Sequence, residues 1–149
     1  WLALDQGTKL WVEAVLPLHS YTPPPVVIIP GFFNIVHIAN YGAAWGMLQG
    51  MGWLLALLAL AFLAGMFFFR RSLELHKPHL QIIFGLIAGG IVGNLIDRVV
   101  RGYVVDFFDF IIPIVDYRWP AFNFADIGIV VGVFLYMSWS LFPSLYERR

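Results

Sequence analysis

Gly52-Trp53-Leu54-Leu55-Ala56-Leu57-Leu58-Ala59-Leu60-Ala61-Phe62-Leu63-Ala64-Gly65-Met66-Phe67-Phe68-Phe69 carries no charged side chain and closes on Arg70-Arg71. An unbroken apolar run of roughly 18 residues, rising about 1.5 Å per residue in a helix, matches the ~30 Å hydrocarbon layer of a bilayer. The chain on either side repeats the pattern. Leu80 to Ile96 is apolar apart from Gln81 and Asn94, and Gly85, Gly89 and Gly93 recur every fourth residue along one face. Such a stripe lets backbones pack closely in lipid. Asp126 to Phe142 is a further span, with Gly128 and Gly132 at the same spacing and Tyr136, Trp139 and Tyr146 toward its far end, where interfacial aromatics belong. Trp1 to Leu16 reads as the remainder of a first span whose start has been trimmed, not as a cleavable signal peptide. Its Asp5, Lys9 and Glu13 fall on one stripe at steps of four, which predicts that the stripe faces the bundle.

The expected fold is therefore a membrane all-α bundle of four transmembrane helices forming a single domain over residues 1–149. Composition agrees, because 60% of the residues are hydrophobic and 12% charged, against about 25% charged in an ordinary soluble domain. Net charge is zero and no basic stripe alternates with aromatics, which excludes a nucleic-acid partner. The absence of cysteine excludes disulfides, thiolate nucleophiles and Cys metal sites.

Short cytoplasmic loops retain Lys and Arg. Arg70, Arg71 and Lys77 between the second and third spans, and Arg148 and Arg149 at the end, assign those regions and the C-terminus to the cytoplasm. Residues 17 to 51 contain no Lys or Arg and belong outside, as by alternation does Val99 to Asn123. Both outer segments are rich in β-branched and aromatic residues. Val26 to Ile29, the Pro30-Gly31 break and Phe32 to Ala39 predict a small sheet on the membrane surface.

An ionisable residue at membrane depth is a functional candidate, with structural pairing as the usual alternative. Asp5 and Lys9, four apart on a helix, are expected to neutralise each other. Asp97, followed at once by Arg98, suits local ion pairing and helix termination; Glu13, Asp109 and Asp116 are expected to face water. Two acids remain without a cation beside them in sequence. Asp106 lies in Val104-Val105-Asp106-Phe107-Phe108, a setting that disfavours its charged form, and Asp126 opens a helix whose free N–H groups favour an anion. Two carboxylates at one depth with opposite biases suit general acid–base activation of water against an amide. Sequence alone does not bring them together.

Other chemistries find less support. His19, His37, His76 and His79 lack HExxH spacing, so no metal site is expected, and no Ser lies in a Gly-x-Ser-x-Gly turn. Asp126-Ile127-Gly128 matches the Asp-Thr-Gly turn of soluble aspartic proteases only superficially, since here it opens a membrane helix. A transporter or proton relay using Asp5, Lys9, Asp97 and Asp126 is the alternative, although four helices without an internal repeat disfavour it.

Five motifs in order give a resemblance that spans nearly the whole chain. They are Asp5-Gln6-Gly7-Thr8-Lys9, Asn40-Tyr41-Gly42-Ala43-Ala44-Trp45, Gly89-Gly90-Ile91-Val92-Gly93-Asn94-Leu95-Ile96-Asp97-Arg98, Val104-Val105-Asp106-Phe107 and Ala121-Phe122-Asn123-Phe124-Ala125-Asp126. The chain resembles bacterial lipoprotein signal peptidase, also called signal peptidase II. The resemblance implies an aspartic endopeptidase of the bacterial inner membrane that cuts prolipoproteins just before a diacylglyceryl-modified cysteine, without a cofactor, its site toward the outer face. It implies Asp106 and Asp126 as the catalytic pair. It also implies Asn40, Asn94, Arg98 and Asn123 as residues that hold the site and the substrate backbone, while Gly42, with Ala43 and Ala44, is expected to let a substrate strand approach. The membrane lipids and the lipidated precursor are the partners expected, and the loop from Gly102 to Pro120, with Phe107 and Trp119, is expected to clamp the substrate.

Overall fold

In the computed structural model, which describes residues 1–142, four helices run in the order α1 (Leu2–Val15), α2 (Gly52–Phe68), α3 (Pro78–Val100) and α4 (Phe124–Leu141). Tyr146, Arg148 and Arg149, used above for interfacial and cytoplasmic placement, lie outside the described residues. By length and hydropathy α3 and α4 suffice to cross a bilayer, whereas α2 is equally apolar but has 17 residues. Not one residue of α2 is buried: Leu57 is 56% and Phe68 74% exposed. A helix apolar all round with no residue fully buried is stable only where its surroundings are themselves hydrocarbon. The molecule is thus a membrane bundle carrying a small sheet.

Glycine sets how closely α3 and α4 approach, but not through the whole predicted stripe. A Cβ on Gly90 would strike the backbone oxygen of Ala125, and one on Gly132 would strike Ile87, whereas one on Gly85 would meet nothing within 4 Å. Gly93 makes room for Asp5 of α1, and Gly128 for the Trp1 indole, whose Nε1 donates to Phe124 O at 2.8 Å. The four-residue stripe therefore serves α1 at Gly89 and Gly93, while Gly90, one residue off it, serves α4.

The sheet is antiparallel, in the order β1 (Val26–Ile29), β2 (Phe33–Asn40), β3 (Val104–Ile112) and β4 (Tyr117–Arg118). Nearly half of the expected clamp loop is in fact β3, a central strand, because Val104 to Ile112 is β-branched or aromatic apart from its two aspartates. Side chains alternate along it, so Asp106 and Asp109, three apart, face opposite sides. Val105 and Phe107 pack with Val12 and Leu16 of α1 in a buried cluster. This corrects two expectations. Phe107 is a core residue, 3% exposed, and Asp109 does not face water but is fully buried, bonded by Arg118 Nε at 2.7 Å and Asn34 Nδ2 at 2.8 Å. On β2, Ile35 pairs with Phe108 and Ile38 with Asp106, so β2 carries an extra residue there, a bulge beside Asp106.

Candidate active site

Helix α4 begins where it does because its first turn is satisfied from outside. Asn123 is the N-cap: its Oδ1 accepts from Asp126 N–H at 3.0 Å, while Asp126 Oδ2 accepts from Asn123 N–H at 3.1 Å. This reciprocal capping box fixes the Asp126 side chain at the head of the helix. The next free donor, Ala125 N–H, is taken by Asp5 Oδ1 of α1 at 2.9 Å.

Asp126 and Asp106 both line one cavity of about 650 Å³, bounded also by Asn40, Gly42, Asn94, Arg98, Tyr21, Trp45 and Trp119. The two acids are joined through amides. Asn94 Nδ2 donates to Asp126 Oδ1 at 2.8 Å, and Asn123 Nδ2 donates to Asp106 Oδ1 at 2.7 Å and to Asn94 Oδ1 at 3.2 Å. Asn40 Nδ2 reaches Asp106 Oδ2 at 2.8 Å; Asn40 is the cross-strand partner of Val104, so Asp106 is its diagonal neighbour on the same face. Burial, then the charge of Asp126, push the Asp106 carboxyl well above its ordinary range, against the pull of Asn40, Asn123 and Lys9. Asp106 therefore holds a proton at a pH where an ordinary Asp has lost it.

Arg98 sits at the mouth, its Nη2 donating to Gly42 O at 3.0 Å and its Nη1 to Asn94 O at 3.3 Å. It does not serve Asp97, as sequence adjacency suggested, because neighbours on a helix point about 100° apart. Asp97 bonds Lys9 Nζ at 2.8 Å and Arg101 Nη1 at 2.9 Å, and α3 continues past it to Val100. Nor is Glu13 left to water: Arg101 Nη2 lies 2.8 Å from its Oε2. Lys9 also meets Asp5 at 2.9 Å, and all of Asp5, Lys9 and Asp97 are fully buried. Gly42 is small for a local reason. A Cβ there would lie 2.6 Å from Met47 O, so its own loop already requires glycine at this position.

Sequence reasoning passed over Tyr21, Arg101 and the wall that Trp45 makes with the expected Trp119. Arg101 carried a usable signal, four residues after Asp97 on one helix. The wall did not, since Trp45 touches Trp119 edge to face at 5.7 Å and Tyr117 OH at 3.3 Å from its Nε1, contacts that only the sheet brings about.

A second, apolar groove of about 320 Å³ runs between α2 and α3–α4, lined by Leu55, Leu58, Phe62 and Ile91, and shares Asn94, Arg98, Asp126 and Ile129 with the first cavity. A polar cleft with paired carboxylates thus adjoins an apolar channel in a membrane bundle. This fold and site define a membrane-embedded hydrolase of the aspartic type.

A family model described as "Signal peptidase (SPase) II" matches residues 1–142. The chain is 42% identical to the lipoprotein signal peptidase of Symbiobacterium thermophilum, over 99% of this chain and 91% of the relative. It is 43% identical to that of Oleidesulfovibrio alaskensis, over 89% and 84% respectively. Among solved structures, a bacterial membrane enzyme determined by the in meso method at 2.3 Å resolution superposes with a TM-score of 0.83 at 30% identity, covering 99% of this chain and 87% of that one. The chain belongs to the signal peptidase II family and is a multi-pass inner-membrane endopeptidase of aspartic type.

Proposed function

We propose that this protein removes signal peptides from prolipoproteins, cutting just before a diacylglyceryl-modified cysteine, with Asp106 and Asp126 as the catalytic pair. The observation that carries the reading is the convergence of those two acids on one cavity, each met by an asparagine N–H, beside a groove built of aliphatic side chains. A water between them loses a proton to the ionised acid as it attacks the scissile carbonyl; the protonated acid polarises that carbonyl and then protonates the departing amine. Asp106, raised by burial and by the neighbouring charge, takes the protonated role at the outset, and Asp126, capped into a helix N-terminus, the ionised one. Asn94 and Asn123 hold the pair, Asn40 holds Asp106, and Arg98 with Gly42 borders the path of the substrate backbone. The lipid chains lie in the groove along α2, a match of hydrocarbon to Leu55, Leu58 and Phe62. Arg70, Arg71 and Lys77, between α2 and α3, support a cytoplasmic connection there and a cavity, at the opposite helix ends, toward the outer face.

The test is cleavage by purified protein of a matched pair of precursor peptides, one with and one without the diacylglyceryl group on cysteine. The reading expects rapid cleavage of the lipidated peptide alone, at the bond before the cysteine. Equal cleavage of both would remove the lipid requirement, and flux into liposomes with no cleavage would favour a transporter.

A further inference from the structure

The hydrolysis described above makes no use of Lys9, yet its side chain is fully buried and lies directly beneath the site. Its ammonium has three hydrogens and three acceptors: Asp5 Oδ2 at 2.9 Å, Asp97 Oδ2 at 2.8 Å and Asn94 Oδ1 at 3.0 Å. The two carboxylates are enough to balance its charge; the third contact goes to a residue of the candidate site. An ammonium can only donate, so the end of the Asn94 amide that faces Lys9 has to be its oxygen. The NH2 end is thereby turned to Asp126. The same Asn94 oxygen accepts from Asn123, whose amide nitrogen also reaches Asp106. One cation thus decides which end of the Asn94 amide meets Asp126, while Asn123 is turned by the backbone, its Oδ1 accepting from Asp126 N–H at 3.0 Å and its Nδ2 donating to Val105 O at 3.2 Å. Turned over, Asn94 would set its oxygen against the Asp126 carboxylate, acceptor against acceptor. Lys9 is itself held: Asp5 is anchored by Ala125 N–H, and Asp97 by Val105 N–H at 3.1 Å and by Arg101.

We propose that Lys9 is a positioning residue for the peptide hydrolysis, fixing the donor direction of Asn94 so that Asp126 is met by an N–H. The proposal rests on Asp106 and Asp126 being the hydrolytic pair.

Removing Lys9 alone leaves Asp5 charged and buried, so the informative variant is Lys9→Met/Asp5→Asn; Asp97 keeps Arg101. kcat and KM for a lipopeptide are measured for this variant with Asn94 present and in an Asn94→Ala background, or Asn94→Ser if the alanine variant is below detection, each corrected for folded protein. With Asn94 present, kcat should fall about tenfold to a hundredfold with KM nearly constant, and without it the same change should lower kcat less than about twofold. Lys9→Gln/Asp5→Asn, which again offers Asn94 an N–H, should recover most of the loss. A purely structural Lys9 would give equal fold-losses in both backgrounds; that result, or no loss with Asn94 present, overturns the proposal. If the methionine variant does not fold, Lys9→Arg, which keeps the charge but moves the donors, goes through the same cycle. Loss confined to the Asn94 background supports the proposal; equal loss, or none, overturns it. Asp106→Asn is assayed alongside: if it still cuts, the aspartate pair is wrong, and that outcome is separate from whether Lys9 and Asn94 act together.

Discussion

Asp106 and Asp126 are bonded by amides and not by cations, whereas Asp97 is bonded by two cations, Lys9 and Arg101, and by a backbone N–H. The three acids should therefore separate in mutagenesis. Asp106→Asn or Asp126→Asn should abolish cleavage with the Tm in detergent nearly intact, because each asparagine keeps an oxygen for at least one of its donors. Asp97→Asn should destabilise by about 3–5 kcal/mol, since it leaves the buried Lys9 short of a partner. An inactive but stable Asp97→Asn beside an active Asp106→Asn would reverse the assignment. The two aromatic residues expected to clamp substrate should also divide. Trp119→Ala, on the cavity wall, should raise KM with little change in Tm, while Phe107→Ala, in the cluster with Val12 and Leu16, should cost about 3–5 kcal/mol of stability. Thermal melts with steady-state kinetics on the two variants distinguish these effects. The step of four between Asp5 and Lys9 was legible in sequence because a helix alone brings such residues together. The partners of Asp97 and Asp109 were not, because Lys9 is brought to Asp97 by the packing of α1 on α3, and Asp109 is buried only once 104–112 is known to be a strand.

Elements were legible in proportion to how local their cause is. The spans appeared as apolar runs, and their ends moved by a few residues where caps act: α3 starts at Pro78, a residue suited to the first helical turn, and α4 starts at Phe124 because Asn123 caps it. β3 was read as part of a loop, since a run that is apolar on both faces shows no alternation until its neighbours are known. Glycine spacing indicated close helix contact without naming its members, and this can be tested. Gly90→Ala should destabilise by about 1–3 kcal/mol, because the added Cβ meets the backbone of Ala125, which cannot rotate away. Gly85→Ala, with open space around it, should show no loss and gain slightly from helix propensity. Equal melting temperatures for the two variants would contradict the α3–α4 packing described here.

At the scale of the whole molecule, the bundle sets α1, α3 and α4 around a buried charge network, and the sheet lays Asp106 over it from above, so that neither acid is made by one element alone. Among the described residues no three His, Asp or Glu side chains are grouped to hold a metal ion. Chelation with EDTA should leave cleavage unchanged, and loss restored by added zinc would overturn the two-aspartate mechanism.

As the proposed catalytic residues, Asp106 and Asp126 work as one pair sharing a single proton. Burial and the charge of Asp126 raise Asp106, so the second proton leaves the pair only above the ordinary carboxylate range of about 4. As pH falls, the ionised member gains a proton and the base is lost; as pH rises through the raised value, Asp106 loses its proton and the acid is lost. The decisive measurement is kcat/KM against pH on the unmodified enzyme, with a lipopeptide that does not itself titrate in the range and with folding checked at each end. A shared proton gives a bell whose alkaline limb lies above the usual range of a carboxyl group. A profile with a single limb, still rising into alkaline pH, would contradict it and point to one general base acting alone.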